Sequence, residues 1–271
     1  MELFGLEHIL YMVVASIIMA LLLFVLIRFV PHKKIYIPLK VFATVGFVIM
    51  IVYRIVVAKS RNSTFKDFLP DTFCSMMGFI MPIVILCFKP NTKIYQYAMF
   101  CGMIGGLLTF IYPDFIVYFD NIFNIHPFLG LLYHTNMLFM FLLAIISKYF
   151  IPTFKNWTVL PIGLAFMVVI AVFGNNVLNQ SNNMYLNAPL ISGTPLTWYL
   201  VGILFIILYT IILQIYEMFT LKKCDWTIVK FIRYIKNKII YKHNKSNLKT
   251  RKKFILKNSI DKTYNKKFIR K

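Results

Sequence analysis

A carboxylate and a thiol stand close together at the start of a long apolar run, and this is the first feature of the sequence that suggests chemistry. The run opens Leu69-Pro70-Asp71-Thr72-Phe73-Cys74-Ser75-Met76-Met77-Gly78. If a helix begins near Leu69, Asp71, Cys74 and Gly78 share one face of it, and Cys74 lies near the positive helix end, which favours a thiolate. Pro70 suits the first turn of such a helix. The structural alternative is that Cys74 only packs and that Asp71 caps the helix.

The composition is typical of a membrane protein. The chain has 271 residues, of which 59% are hydrophobic, and its mean hydropathy is +0.72. The cysteines show no spacing typical of a metal site or a disulfide framework: they are Cys74, Cys87, Cys101 and Cys224. No cofactor is predicted, because the sequence contains no P-loop, no zinc-ligand pattern and no dinucleotide fingerprint.

Seven apolar segments are long enough to cross a bilayer, so the predicted fold class is all-α, a polytopic membrane protein. Their expected bounds are 8–30, 39–58, 69–88, 94–112, 127–148, 157–178 and 197–218. The sequence therefore predicts a transmembrane bundle over residues 1–218 and a separate basic tail over residues 219–271.

Charges in the connecting loops predict the orientation of the bundle. One set of loops is basic and groups with the tail: it contains Arg28, Lys33, Lys34, Lys40, Lys89, Lys93, Lys148 and Lys155. The opposite set contains Glu2, Glu7, Asp114 and Asp120. The positive-inside rule then places the N-terminus outside and the C-terminus in the cytoplasm, in the cell membrane. The basic residues Lys59, Arg61 and Lys66 are exceptions to this pattern.

Polar side chains gather in the predicted outer part of the bundle. They are His8, Arg54, Asp71, Cys74, Asp114, His134, Asn136, Asn175 and Asn176, with Asn183 in the loop that follows. A charged group at mid-bilayer costs about 2.5–3.5 kcal/mol on insertion scales, so such groups normally face a bundle interior or a wet cavity. We expect a polar crevice that opens to the outer leaflet. In the alternative, these residues only mark helix ends, and Arg54 pairs with Asp71 or Asp114.

A pair of small residues predicts close packing of the fourth span. Gly102 and Gly106 form a GxxxG motif, which lets the backbone of a neighbouring helix approach. Alone, this short motif has low specificity.

The tail differs in kind from the bundle. Of the net charge of +21, the 51 residues from Leu221 to Lys271 carry 18 Lys/Arg against 2 Asp, or +16. Apolar residues from Trp226 to Ile239 recur at helical spacing among basic ones, which predicts an amphipathic helix on anionic lipid headgroups. A cytoplasmic polyanion or protein is the alternative partner. The sequence leaves the oligomeric state open.

Several short motifs resemble the bacterial YwaF-type integral membrane family over residues 1–218. They are Leu69-Pro70 with Cys74-Ser75, Gly105-Gly106-Leu107 before Pro113-Asp114, His134, Asn183-Met184-Tyr185-Leu186, and His8 in Phe4-Gly5-Leu6-Glu7-His8. That family is similar to eukaryotic multi-pass transmembrane acyltransferases and, distantly, to androgen-induced intramembrane hydrolases of lipid esters. This chain has Asp71-Thr72-Phe73-Cys74 where the family often reads Leu-His-Leu-Cys, so Thr72 replaces a histidine.

The resemblance implies a thiol-dependent lipid acyltransferase or hydrolase with Cys74 as nucleophile and His134 as base. A thiol and an imidazole that takes its proton form a familiar nucleophile–base couple for acyl transfer. Asp71 or Asn136 would orient the imidazole ring. The substrate-binding residues are then expected to be His8, Arg54, Asp114, Asn136, Asn175, Asn176, Asn183 and Tyr185. Two other classes compete with this one: a transporter that binds solute or lipid in the same crevice, and a membrane scaffold whose tail recruits a partner.

Overall fold

The computed structural model describes residues 4–60, 68–113, 116, 119, 121–178, 186–188, 197–220 and 238. Over these residues all regular structure is helical. The long helices are α1 (Leu6–Phe29), α2 (Tyr36–Ser60), α3 (Phe73–Cys87), α4 (Lys93–Ile111), α5 (Ile125–Ile146), α6 (Val159–Val177) and α7 (Trp198–Thr220). Short 3₁₀ turns at His32–Lys34 and Phe154–Asn156 precede α2 and α6. The predicted all-α, polytopic membrane fold is confirmed.

Six of these helices are long and apolar enough to cross a membrane, and α3 is an apolar helix of only 15 residues. At 1.5 Å per residue α3 is about 22 Å long, against about 30 Å for the hydrocarbon core of a bilayer. The segment that leads into α3 therefore has irregular backbone next to the apolar layer, and its carbonyl groups need partners within the protein.

The chain divides into two units, Met1–Ile215 and Tyr216–Lys271. In the second unit the structure describes only the last turn of α7 and Lys238. The amphipathic helix predicted from Trp226 to Ile239 lies outside the described residues, apart from Lys238.

The start of α3 corrects a prediction. The helix begins at Phe73 and not near Leu69, because Thr72 is its N-cap. The Thr72 hydroxyl accepts a hydrogen bond from the Ser75 N–H at 3.2 Å, and the Ser75 hydroxyl accepts one from the Thr72 N–H at 3.0 Å. This reciprocal capping box satisfies two backbone donors that the first turn would leave without partners. Asp71 therefore precedes the helix and does not share a face with Cys74, and Pro70 lies outside the first turn.

Helices α4 and α5 form the centre of the first unit. In their most apolar windows 72% of α4 and 67% of α5 is buried, against 6% of α1. Helix α4 packs against α3, α5 and α6, whereas α5 packs against α1, α2, α3 and α4. Helix α1 is apolar on every side and exposes residues such as Ile9, Val13 and Ile17, which is the expected pattern for a helix that faces lipid.

Glycines on α4 set its distance from two different neighbours. A Cβ atom on Gly106 would lie 2.7 Å from the His134 carbonyl oxygen of α5, so these two backbones are in direct contact. Gly105 faces α3, where a Cβ would lie 3.2 Å from the Cys74 sulfur, and Gly102 faces Met81 of α3. The predicted close packing of α4 is present, but Gly102 and Gly106 do not meet the same helix.

We expect Gly106→Ala to destabilise the bundle by about 1–3 kcal/mol, because the added methyl group forces the α4 and α5 backbones apart. Gly202→Ala on α7 is the control, since a Cβ there has nothing within 4 Å and alanine is the better helix former. The measurement is the temperature at which half of the detergent-solubilised protein stops being soluble. Equal temperatures for the two variants would contradict this packing.

Candidate functional site

Cys74 is the second residue of α3 and is half-buried. Its sulfur lies 3.9 Å from the Gly105 carbonyl oxygen and 3.7 Å from the Thr109 hydroxyl, both on α4. The thiol can donate to either oxygen, and the Thr109 hydroxyl can donate back to the sulfur. A position in the first turn of a helix favours the thiolate through the positive end of the helix dipole. The capping box therefore places Cys74 in the first turn of α3.

His134 lies in the middle of α5 and is 3% exposed. Its Nδ1 is 2.7 Å from the carbonyl oxygen of Gly130, one turn earlier on the same helix. A carbonyl oxygen only accepts, so Nδ1 carries the hydrogen in this bond. In the neutral ring the lone pair is then on Nε2, and Nε2 is the atom that can accept a proton.

Helix α4 brings Cys74 and His134 to two adjacent residues of the same helix. The sulfur of Cys74 touches the Gly105 position, and the backbone of His134 touches the Gly106 position. The Tyr133 ring lies 3.9 Å, centroid to centroid, from the His134 ring. The contacts of α4 with the Cys74 sulfur and with the His134 backbone are thus one residue apart, on the faces that meet α3 and α5 respectively.

A buried ion pair holds the segment that leads into α3. Arg54 is 2% exposed, and its Nη1 donates to the Asp71 carboxylate at 2.9 Å. Its other nitrogens donate to the backbone carbonyls of Phe68, at 3.1 Å, and of Leu69. The Ser75 hydroxyl also donates to Asp71, at 3.4 Å. The predicted alternative in which Arg54 pairs with Asp71 is confirmed. Arg54 also gives the Phe68 and Leu69 carbonyls, which precede α3, a hydrogen-bond donor within the protein.

Aromatic rings connect the start of α5 with His134. The His126 ring stacks on Tyr53 with centroids 5.2 Å apart and planes 15° apart, and it also meets Phe119 at 4.7 Å. Tyr53 in turn contacts Tyr133 at 5.2 Å. These rings pack α2 against the first half of α5 and limit the freedom of both helices there.

The other predicted site residues have separate environments. His8 is buried on α1, and its Nε2 lies 3.3 Å from the Phe110 carbonyl oxygen. Asn136 donates to the Phe42 carbonyl oxygen at 3.1 Å and packs against Gly46, so it joins α5 to α2. Near the end of α6, Asn175 is half-buried and Asn176 is exposed. Asp114, Asn183 and Tyr185 lie outside the described residues.

Sequence analysis missed Thr109, whose hydroxyl contacts the Cys74 sulfur, and Tyr133, whose ring packs against the rings of His134 and Tyr53. Thr109 lies one turn after Gly105, so the i, i+4 spacing could have placed it on the face that meets α3. Tyr133 precedes His134 directly, but nothing in its sequence context shows that its ring turns toward α2 and α3. The Thr72-x-x-Ser75 spacing of the capping box was a signal that could have placed the start of α3.

The residues described by the structure include no cluster of three or more His, Cys, Asp or Glu side chains that could hold a metal ion.

Comparison with known proteins places this arrangement in a family. The model of the TMEM164 family matches residues 3–216. The chain belongs to the TMEM164 family. No curated protein and no solved structure matches the chain. The TMEM164 match includes all residues from His8 to Asn176 that form the predicted polar layer and stops before the basic tail, so the family resemblance is a property of the bundle.

We expect Arg54→Met to destabilise the bundle by on the order of 3 kcal/mol, because it leaves the Asp71 carboxylate and two backbone carbonyls without their donor. This loss of stability is at the low end of the range for a broken buried ion pair, because the Asp71 side chain is 26% exposed and can be rehydrated. Lys59→Met, at an exposed position of the same helix, is the control and should change stability by less than about 0.5 kcal/mol. Thermal stability in detergent measures both. An Arg54→Met variant as stable as the control would show that the ion pair does not hold the entry to α3.

Proposed function

We propose that this TMEM164-family chain is a thiol-dependent lipid acyltransferase or hydrolase in which Cys74 is the nucleophile and His134 is the base. The observation that carries the proposal is the junction of α3, α4 and α5, where Gly105 contacts the Cys74 sulfur and Gly106 contacts the His134 backbone.

The proposed reaction has two steps: the acyl group is first transferred to Cys74 and then to water or an alcohol. His134 takes the proton of the Cys74 thiol, and the sulfur attacks the carbonyl carbon of a lipid ester. The bond from that carbon to the alcohol oxygen breaks, and the leaving alcohol takes the proton from the imidazolium. Water or a second lipid alcohol then gives its proton to His134 and attacks the thioester carbon. The carbon–sulfur bond breaks and the imidazolium returns the proton to the Cys74 sulfur, which leaves the free thiol and a fatty acid or a new ester.

The surroundings of Cys74 favour this chemistry. Desolvation alone disfavours a thiolate, so an active thiol in an apolar site needs compensating groups. Here the first turn of α3 offers its positive end, and Thr109 offers a hydroxyl 3.7 Å from the sulfur. Arg54 balances the charge of Asp71, so that carboxylate does not add an unpaired negative charge near the thiolate.

The proposed substrate is a lipid because of where the pair lies. Cys74 and His134 are on helices that are apolar along their length, and Cys74 is half-buried and not sealed in the core. An ester at the boundary of the hydrocarbon layer can reach this depth without leaving the membrane. The charges of the loops predict that this boundary is the outer leaflet of the cell membrane.

Motif resemblance is the source of the roles proposed for Cys74 and His134. The likeness to YwaF-type proteins and to multi-pass acyltransferases rests on the motifs around Cys74, Gly105-Gly106 and His134. In the same proposal Asp71 has a positioning role through Arg54 and Ser75, and the basic tail binds anionic headgroups on the cytoplasmic side.

The test is covalent capture of an acyl group. Full-length protein is incubated in vesicles that contain a phospholipid with an alkyne-tagged acyl chain, and the tag is then read out on the protein after denaturation. We expect a label that neutral hydroxylamine removes, since hydroxylamine cleaves thioesters, and we expect Cys74→Ala to abolish it. His134→Gln should reduce the rate of labelling by a factor of about 10²–10⁴, the range for a lost general base.

Cys87→Ala is the matched control, because Cys87 is an exposed cysteine at the opposite end of α3. It should label as the wild type does. A folded wild-type protein that takes no label, or whose label persists in Cys74→Ala, would contradict the enzyme. The transporter or scaffold alternative would then account for the same bundle.

A further inference from the structure

A groove runs along α1 where this helix meets α5 and α2. It has a volume of about 430 Å³, within the range of roughly 300–1,000 Å³ for small-molecule sites. Ala15 and Met19 of α1 are buried at its floor, and Phe139 of α5 and Phe42 of α2 form its far wall. Leu10 and Ile18 at its edge are more than half exposed, so the groove opens sideways along the helix.

The groove is long and narrow. Its α1 residues extend from Glu7 to Leu22, 15 positions that correspond to about 22 Å of helix. Half of a bilayer's hydrocarbon core is about 15 Å thick, so the groove reaches from one end of α1 past the middle of the membrane. A flexible hydrocarbon chain can follow a groove of this length along α1.

The polar groups of the lining already have partners in the protein. The Tyr11 hydroxyl and the Thr135 hydroxyl are 2.7 Å apart, and Asn136 donates to the Phe42 carbonyl oxygen. The Glu7 carboxylate accepts a hydrogen bond from the Ile122 N–H at 3.0 Å and so fixes one end of the groove. A hydrocarbon occupant therefore leaves no lining group with a lost hydrogen bond, and it covers apolar surface at little cost.

We propose that this groove binds one acyl chain of a membrane glycerolipid, with its headgroup at the Glu7 end and its chain terminus near Leu22. The groove is separate from the proposed catalytic pair. The last turn of α4 lies between them, since Thr109 contacts Cys74 and the Phe110 ring faces Tyr11 with centroids 6.2 Å apart. The bound acyl chain fills the side of the bundle on which α1 has few protein contacts and stabilises the packing of α1 against α5.

Photocrosslinking tests the proposal. The full chain is reconstituted in phosphatidylcholine vesicles that contain an increasing fraction of phosphatidylcholine with a diazirine near the end of one acyl chain. Labelled positions are mapped by mass spectrometry after irradiation. We expect labelling of Met19 and Phe139 to saturate with probe fraction, and labelling of Ile17, on the lipid-exposed side of α1, to rise in proportion to it.

Ala15→Phe fills the floor of the groove and should lower the label on Met19 and Phe139 by about tenfold or more, because several buried methylene contacts are lost. Val13→Phe adds the same ring on the exposed side of α1, where Val13 is 50% exposed, and should leave the label unchanged. Cys74→Ala should also leave it unchanged, which separates this result from the acyl-transfer reaction.

Native mass spectrometry of the wild-type protein from mild detergent gives a second reading that needs no variant. It should show one retained glycerolipid per chain. Proportional labelling at Met19 and Phe139, or a label that Ala15→Phe does not reduce, would overturn the proposal, as would a wild-type chain without lipid. Crosslinks between the α1 helices of two chains across this groove would instead assign it to a second copy.

Discussion

The contact of α4 with α3 on one side and α5 on the other, through two consecutive glycines, is the constraint on which the site depends. Side chains at both positions would hold the helices apart, and the sulfur of Cys74 and the backbone of His134 would no longer meet the same turn of α4. In a lipid environment, where burial of apolar surface between helices gains little, such close backbone packing is a main source of helix association. The same feature that packs the bundle therefore also places the candidate nucleophile and base.

Hydrogen bonds from Arg54 and from the Thr72–Ser75 capping box fix where α3 begins. A short helix leaves the segment before it without regular hydrogen bonds, and a membrane offers no water to replace them. Arg54 bonds the carbonyls of Phe68 and Leu69 and the Asp71 carboxylate, and the Thr72–Ser75 capping box bonds the first donors of the helix. Because the carbonyls before α3 and the first backbone donors of α3 have hydrogen-bond partners, Cys74 is fixed in the first turn. Its position there results from local hydrogen bonding and not from the apolar pattern of the span.

The sequence was sufficient to predict the helices but not to predict which helices pack against each other. Spans are predictable because each one has to be apolar over a length set by the bilayer. The start of α3 was misplaced because Leu69 and Pro70 continue the apolar character of the helix, while the polar residues Thr72 and Ser75 determine where it begins. Gly102 and Gly106 were assigned to one neighbour because their spacing places them on one face. Helix α4 is buried on nearly all sides, however, so its pattern cannot distinguish α3 from α5. The pairing of Arg54 with Asp71 is one of two pairings that the sequence offers as an alternative to a polar crevice, with Asp114 as the other partner, because few other charges lie at that depth. The ring contact of Tyr133 with His134 has no signal in the sequence.

The central claim is that the imidazole of His134 acts on the thiol of Cys74. The most direct measurement is the rate at which iodoacetamide alkylates Cys74, as a function of pH, in a chain whose other cysteines have been replaced by serine. If His134 accepts the proton of the thiol, the rate at neutral pH falls in His134→Gln, and the rates of the two proteins converge at alkaline pH, where the thiol ionises without a base. Equal alkylation rates for the two proteins at every pH would contradict the claim, because His134 would then have no effect on the ionisation of the Cys74 thiol.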